Sequence, residues 1–210
     1  YNTANGQEQP VQSVAKKINI PANICIFSVT TISIIVFLQR KSMQRRKLMP
    51  YNTFILPNGL RIIHAPSPTN VTYCGFAVDA GTRDEFTNEQ GMAHFVEHLI
   101  FKGTHKRRAW HILNRMENVG GDLNAYTNKE ETVIYSAFLK EHFSRAVELL
   151  TDIVFNSIFP EQEIAKEVEV IIDEIQSYED SPAELIFDDF EELIFPNHPL
   201  GRNILGKPEQ

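Results

Sequence analysis

GMAHFVEHLIFKGT, residues 91–104, places two histidines four apart with a glutamate directly before the second. On a helix, side chains at i and i+4 share one face, so His94 and His98 can point at one ion. Glu97 sits one turn from His94, close enough to hold a metal-bound water without being a ligand. The chemistry needs this division of labour. Neutral imidazoles hold Zn²⁺, the ion brings the pKa of its water towards ~7, and a carboxylate takes the proton as the water attacks a carbonyl. With seven His and nineteen Glu in the chain, chance placement of His-x-x-Glu-His is expected about 0.02 times. The competing reading is a surface helix face with two solvated histidines.

A catalytic zinc needs a third protein ligand. The segment 160–178, with Pro at its start, reads as a helix whose apolar stripe is Ile164, Val168, Ile171 and Ile175. Glu167 and Glu174 lie seven apart along one shoulder of that stripe, where a carboxylate could reach a site formed against the first helix. Glu163, Glu169 and Asp173 share the helix, so spacing alone leaves Glu174 one candidate among several.

Working outward, residues 53–56 and 60–64 flank Pro57-Asn58-Gly59, a strong hairpin signal. Residues 71–80 alternate as a third strand, and 90–101 and 109–119 read as helices. Residues 122–128 and 131–139, rich in Thr, Val, Ile and Tyr, predict an antiparallel pair. Helices are expected over 142–158, 160–178 and 182–195, the last behind Ser181 as N-cap. Strands and helices in runs, without strict alternation, predict an α+β class: an antiparallel sheet with helices packed on one face. No further strand follows 201–210, so an incomplete domain is expected.

The chain has 210 residues, 42% hydrophobic and 22% charged, as a globular protein requires. Residues 1–50 carry seven Lys/Arg against Glu8 alone, net +6, while the rest is net −13. The acidic body argues against a nucleic-acid surface. Two distant cysteines, Cys25 and Cys74, provide no disulfide framework and no Cys-rich zinc cluster. Any metal must take His and carboxylate ligands.

Residues 1–48 read as a basic leader distinct from a domain over 49–210. Within it, 23–38 is an uncharged, mostly apolar run of sixteen residues, short against the ~20 of a bilayer span. A membrane anchor, a cleaved signal, or translation from upstream of a true start at Met43 or Met49 each fits the run. The body is expected to be cytoplasmic if the chain starts near Met49, and membrane-associated if 23–38 is an anchor.

The residues around the motif carry a resemblance. GMAHFVEHLIFKGT, NVGGDLNAYTNKEETVIYSAF (118–138) and EVEVIIDEIQSYEDSPAELIFDDFEELIFPNHPLGRNILG (167–206) together resemble peptidase family M16, of the inverted His-x-x-Glu-His or inverzincin type. The match runs from about residue 51 onward. The resemblance implies a LuxS- or processing-peptidase-like metallohydrolase half-domain and a zinc endopeptidase acting on extended or unfolded peptides. It makes Glu174, with 75 residues between it and His98, the expected third ligand beside His94 and His98. Glu97 becomes the general base and Glu167 a supporting carboxylate. Asn124 and Ala125 match the strand whose backbone pairs with a peptide.

Two departures accompany the resemblance. Val168 stands where the family often has a basic residue. The family also builds its chamber from two related halves, so the implied partner is a C-terminal half of the same protein or a second M16-like subunit. A non-catalytic M16-like partner and a membrane-anchored peptide-binding protein are the alternatives.

Overall fold

Six strands form one sheet in the order β2-β3-β1-β4-β6-β5. This arrangement comes from a computed structural model that describes residues 51–208 and, in backbone alone, residues 24–29. The strands are β1 (Ile24–Val29), β2 (Asn52–Ile55), β3 (Arg61–Ala65), β4 (Val71–Val78), β5 (Asp122–Thr127) and β6 (Thr132–Leu139).

The hairpin between β2 and β3 forms as its turn residues demand. Gly59 takes a φ of 87°, open to glycine at little cost, and its N–H donates to the Leu56 carbonyl at 2.9 Å. All strand pairs are antiparallel except β1 with β3. The expected antiparallel sheet thus includes one parallel pair, for a geometric reason. β3 and β4 run in opposite directions, so a strand between them must be parallel to one. Ile24–Val29 belongs to the apolar run 23–38. The rest of 1–50, and with it the anchor, signal and upstream-start readings, lies outside the described residues. Among those described, no helix is long and apolar enough to cross a membrane.

Among the described residues, five α-helices follow the expected segments: α1 (Met92–Leu99), α2 (Ala109–Glu117), α3 (Phe143–Asn156), α4 (Glu161–Glu179) and α5 (Pro182–Ile194). Thr72, Cys74, Phe76, Ile134, Ser136 and Phe138, alternate residues of the central pair β4 and β6, are buried on one face. α3 covers that face with Ala146, Val147, Leu149, Leu150 and Ile153 at its apolar spacing, and α2 adds Ile112 and Met116. Phe76 meets Phe155 edge to face at 5.5 Å. The fold is α+β with its helices on one face, as expected.

α4 departs from its expected stripe. Val168 is 41% exposed, and the buried residues of the helix are Glu167 and Ile175. The helix is rotated because Glu167 finds ionic partners inside, described below. Ser181 occupies the N-cap of α5 in extended backbone, but its side chain makes no capping bond. α5 buries none of its residues completely.

Candidate metal centre

α1 is only eight residues long, too short to hold its helical form unaided, so its ends are tied by tertiary contacts. At the N-terminus the cap residue is Gly91, which has no side chain to offer. Glu85 substitutes for it: its carboxylate accepts from the N–H of Gly91 at 3.0 Å and of Ala93 at 2.7 Å. A carboxylate there also suits the positive end of the helix dipole. Burial pushes the Glu85 carboxyl above its ordinary pKa, against the pull of those two N–H groups and of Arg202. The Arg202 guanidinium in turn donates to the Glu85 carbonyl at 2.9 Å. Gly91 has φ +91°, and a Cβ on it would lie 2.5 Å from the Leu205 carbonyl oxygen. The segment after α5 thus presses directly on the start of α1.

The C-terminal end of α1 is tied by a buried polar knot. Thr104 Oγ1 donates to Asp152 on α3 at 2.8 Å, and Arg107 bonds the same carboxylate. Arg107 also reaches Glu148 at 2.6 Å. Asp152 is 2% exposed, so its charge depends on these partners.

Between the two ties, His94 and His98 face α4. Among the described residues, His94, His98 and Glu174 are the set of metal-ligand type whose donor atoms gather within 4.8 Å of one another. His94 Nε2 lies 3.7 Å from one Glu174 oxygen and His98 Nε2 3.5 Å from the other. These gaps exceed ordinary hydrogen bonds and come close to the roughly 3.3 Å edge of a tetrahedron with ~2.0 Å metal–ligand bonds. Two imidazole nitrogens and a carboxylate that reaches both fit zinc in donor type as well as spacing. Burial holds the His94 pKa below its ordinary value despite Glu174 nearby, which favours the neutral imidazole that a metal requires. Its other nitrogen, Nδ1, is buried without a hydrogen-bond partner, so packing orients this ring.

The two carboxylates of α4 differ. Glu174 has 43% of its side chain exposed and stands at the open side of the cluster. The Glu167 side chain is 8% exposed: one oxygen lies 3.2 Å from His98 Nδ1, the other 2.5 Å from Lys102 Nζ. Glu167 is therefore a partner of His98 rather than a member of the candidate donor set. Glu97 is half-buried beside them and joins none of the ion pairs at the site.

Asn124 and Ala125 lie on β5, the edge of the sheet beside α1. The link is direct, since Thr127 Oγ1 donates to the Ala93 carbonyl at 3.5 Å. The N–H of Ala125 donates to its neighbour's Asn124 Oδ1 at 2.8 Å, so this edge amide is covered by the chain itself. His105, His111 and His198 are exposed, and neither they nor His64 and His142 join the cluster.

Glu85 and Lys102 are the site residues that sequence reasoning missed. Glu85 carries no local capping signal, since it lies six residues before the cap. Lys102 carries none either, since it lies beyond the end of α1 and is found through its ion pair with Glu167.

A model of the insulinase family (peptidase family M16) matches residues 61–208. An uncharacterized zinc protease of Rickettsia bellii (strain RML369-C) is 42% identical over 157 residues, which is 74% of this chain and 38% of that protein. The mitochondrial-processing peptidase subunit beta of Saccharomyces cerevisiae is 42% identical over 153 residues, 72% of this chain and 33% of that one. Among solved structures, a protease from Helicobacter pylori is similar with a TM-score of 0.73 at 24% identity, covering 77% of this chain and 40% of that chain. A peptidase M16 inactive domain from Pseudomonas fluorescens is similar with a TM-score of 0.67 at 16% identity, covering 74% and 38%. Both structural likenesses are likenesses of fold. The chain spans less than two-fifths of the length of these curated relatives.

Proposed function

The chain belongs to peptidase family M16, and from that premise we propose that it is the zinc-holding part of a metalloendopeptidase that hydrolyses extended or unfolded peptides. The observation that carries the proposal is the convergence of His94 and His98 on α1 with Glu174 on α4, in spacing and donor type that suit zinc.

His94 and His98 would hold the ion through Nε2, and Glu174 through its carboxylate. Bound zinc would supply a Lewis acid and a water of lowered pKa. Glu97, free of the ion pairs, holds a carboxylate on the same helix face that can accept a proton. Glu167 fixes the ring of His98 by bonding its Nδ1. An extended peptide would add to the β5 edge at Asn124 and Ala125, replacing the internal bond between them. The rest of the substrate chamber would come from further polypeptide of the same chain or from a second M16-like subunit.

A second reading keeps the fold and drops the catalysis; a domain similar to this one in fold is described as inactive. All five motif positions, His94, Glu97, His98, Glu167 and Glu174, speak for the catalytic reading. Metal content by mass spectrometry separates the two. About one zinc per wild-type chain, lost from His94→Ala and Glu174→Gln, supports the site. Well-folded wild-type protein that takes up no zinc overturns it. Glu97→Gln should keep its zinc and abolish hydrolysis once the complementary half is supplied.

A further inference from the structure

Lys102 lies just beyond α1, its N–H donating to the Leu99 carbonyl at 3.0 Å, and its ammonium meets Glu167 across the gap to α4. The Glu167 carboxylate divides its two oxygens: Oε1 to Lys102 at 2.5 Å, Oε2 to His98 Nδ1 at 3.2 Å. A carboxylate this deeply buried must be paired to be kept, and among the described residues Lys102 is the cation that pairs it. Glu163, one turn earlier on α4, also feels the Lys102 charge but has its own partner, Lys166, at 2.7 Å.

The base from which Lys102 reaches is itself rigid. The Gly103 carbonyl accepts from Ile158 N–H at 3.2 Å, and Thr104 N–H donates to the Arg107 carbonyl at 2.8 Å. Thr104 is held to Asp152, and a Cβ on Gly103 would stand 3.2 Å from the Pro160 ring. The polar knot on α3 thus aims Lys102, Lys102 holds Glu167, and Glu167 addresses the ligand His98.

We propose that Lys102 is a positioning residue of the metal centre: by holding Glu167, it keeps the proton of His98 on Nδ1 and leaves Nε2 free to coordinate. This rests on the zinc reading above. Without the ammonium, Oε1 loses its partner and the carboxylate is no longer constrained to face Nδ1. Loss of the carboxylate's hold on a ligand imidazole, which this would cause, weakens metal binding by about 10-fold to 100-fold.

The full chain, labelled with ¹⁵N and free of metal, reports the His98 tautomer in long-range ¹H–¹⁵N correlation spectra. Chelator competition then gives its zinc affinity. In wild-type protein the Nδ1 proton of His98 should be held against Glu167. Lys102→Met should mix the tautomers and weaken zinc binding by about 10-fold or more, while Lys102→Arg should restore both readouts. Glu163→Gln should change neither. A folded Lys102→Met protein with the wild-type tautomer and zinc affinity within about twofold overturns the proposal. Should Lys102→Met fail to fold, Lys102→Gln is judged by the same criterion. Wild-type protein that binds no zinc would sink the zinc reading, while the tautomer comparison would still decide the role of Lys102.

Discussion

The two helices that supply the candidate ligands are held to the body of the protein in opposite ways. α1 is short but tied at both ends, by Glu85 and Leu205 at its start and by the Thr104–Asp152–Arg107 knot behind its end. α4 is more than twice as long, yet Glu167 and Ile175 are its buried residues. The histidines therefore stand on a fixed platform, and Glu174 is brought to them by a helix with a thin apolar seam. Closing the site means docking α4, so a bound ion would link two helices that the apolar core joins weakly.

The largest test of that contrast breaks the platform. Asp152→Ala leaves Arg107 partly unpaired in a buried setting and should cost about 3 kcal/mol. Denaturant unfolding measures it, and an unchanged midpoint would mean that the knot does not support α1. On the other side, Ile175→Ala should cost about 2 kcal/mol, at the low end for a large-to-small change because α4 can settle. Val168→Ala, on the exposed side, should stay within about 0.5 kcal/mol. Zinc at 100 times its dissociation constant adds about 2.7 kcal/mol and should more than offset the loss in Ile175→Ala. Hydrogen exchange should show the gain in protection concentrated in α4. Equal gains in α1 and α4 would erase the difference between them.

Glu85→Gln probes the first tie at smaller cost. The amide keeps one acceptor for the N–H groups of Gly91 and Ala93 but loses the charge that favours the helix start, so about 1 kcal/mol is expected. Thermal unfolding with and without zinc checks it. A drop in stability with unaltered zinc affinity would show that this tie serves the fold alone.

How far each part could be read from sequence follows from the range of the interactions that set it. His94, Glu97 and His98 were legible because a helix turn, a local geometry, puts them on one face. The β2–β3 hairpin was legible because Asn58 and Gly59 select the turn. Glu174 was ambiguous among the acids of its helix, and only the family resemblance singled it out. Val168 and Glu167 exchanged their expected burial, because Lys102 and His98, remote in sequence, supply the partners that let a glutamate turn inward. Glu85 owes its role to a tight left-handed Gly91 and to Arg202, 117 residues away in sequence. The strand at Ile24–Val29 was illegible because an uncharged apolar run satisfies a central strand and a membrane segment alike.

Acid supplies the last and gentlest way to separate the two helices. His94, buried on α1, has its pKa held below the ordinary His value of ~6.5, first by desolvation and further by His98, with Glu174 and Glu97 opposing. Between the lowered folded value and ~6.5 the unfolded chain binds a proton that the folded chain refuses. Stability therefore falls as the pH drops through that window, and the contribution of His94 is fully present above it. Zinc binding should weaken in the same direction, because both imidazoles must be neutral to coordinate. The test is metal-free unfolding at a series of pH values, for wild-type protein and for His94→Gln. The substitution should flatten the slope over that interval. If the slope survives, the acid sensitivity belongs to other groups, and the burial of His94 is not what distinguishes the fixed helix from the thinly seated one.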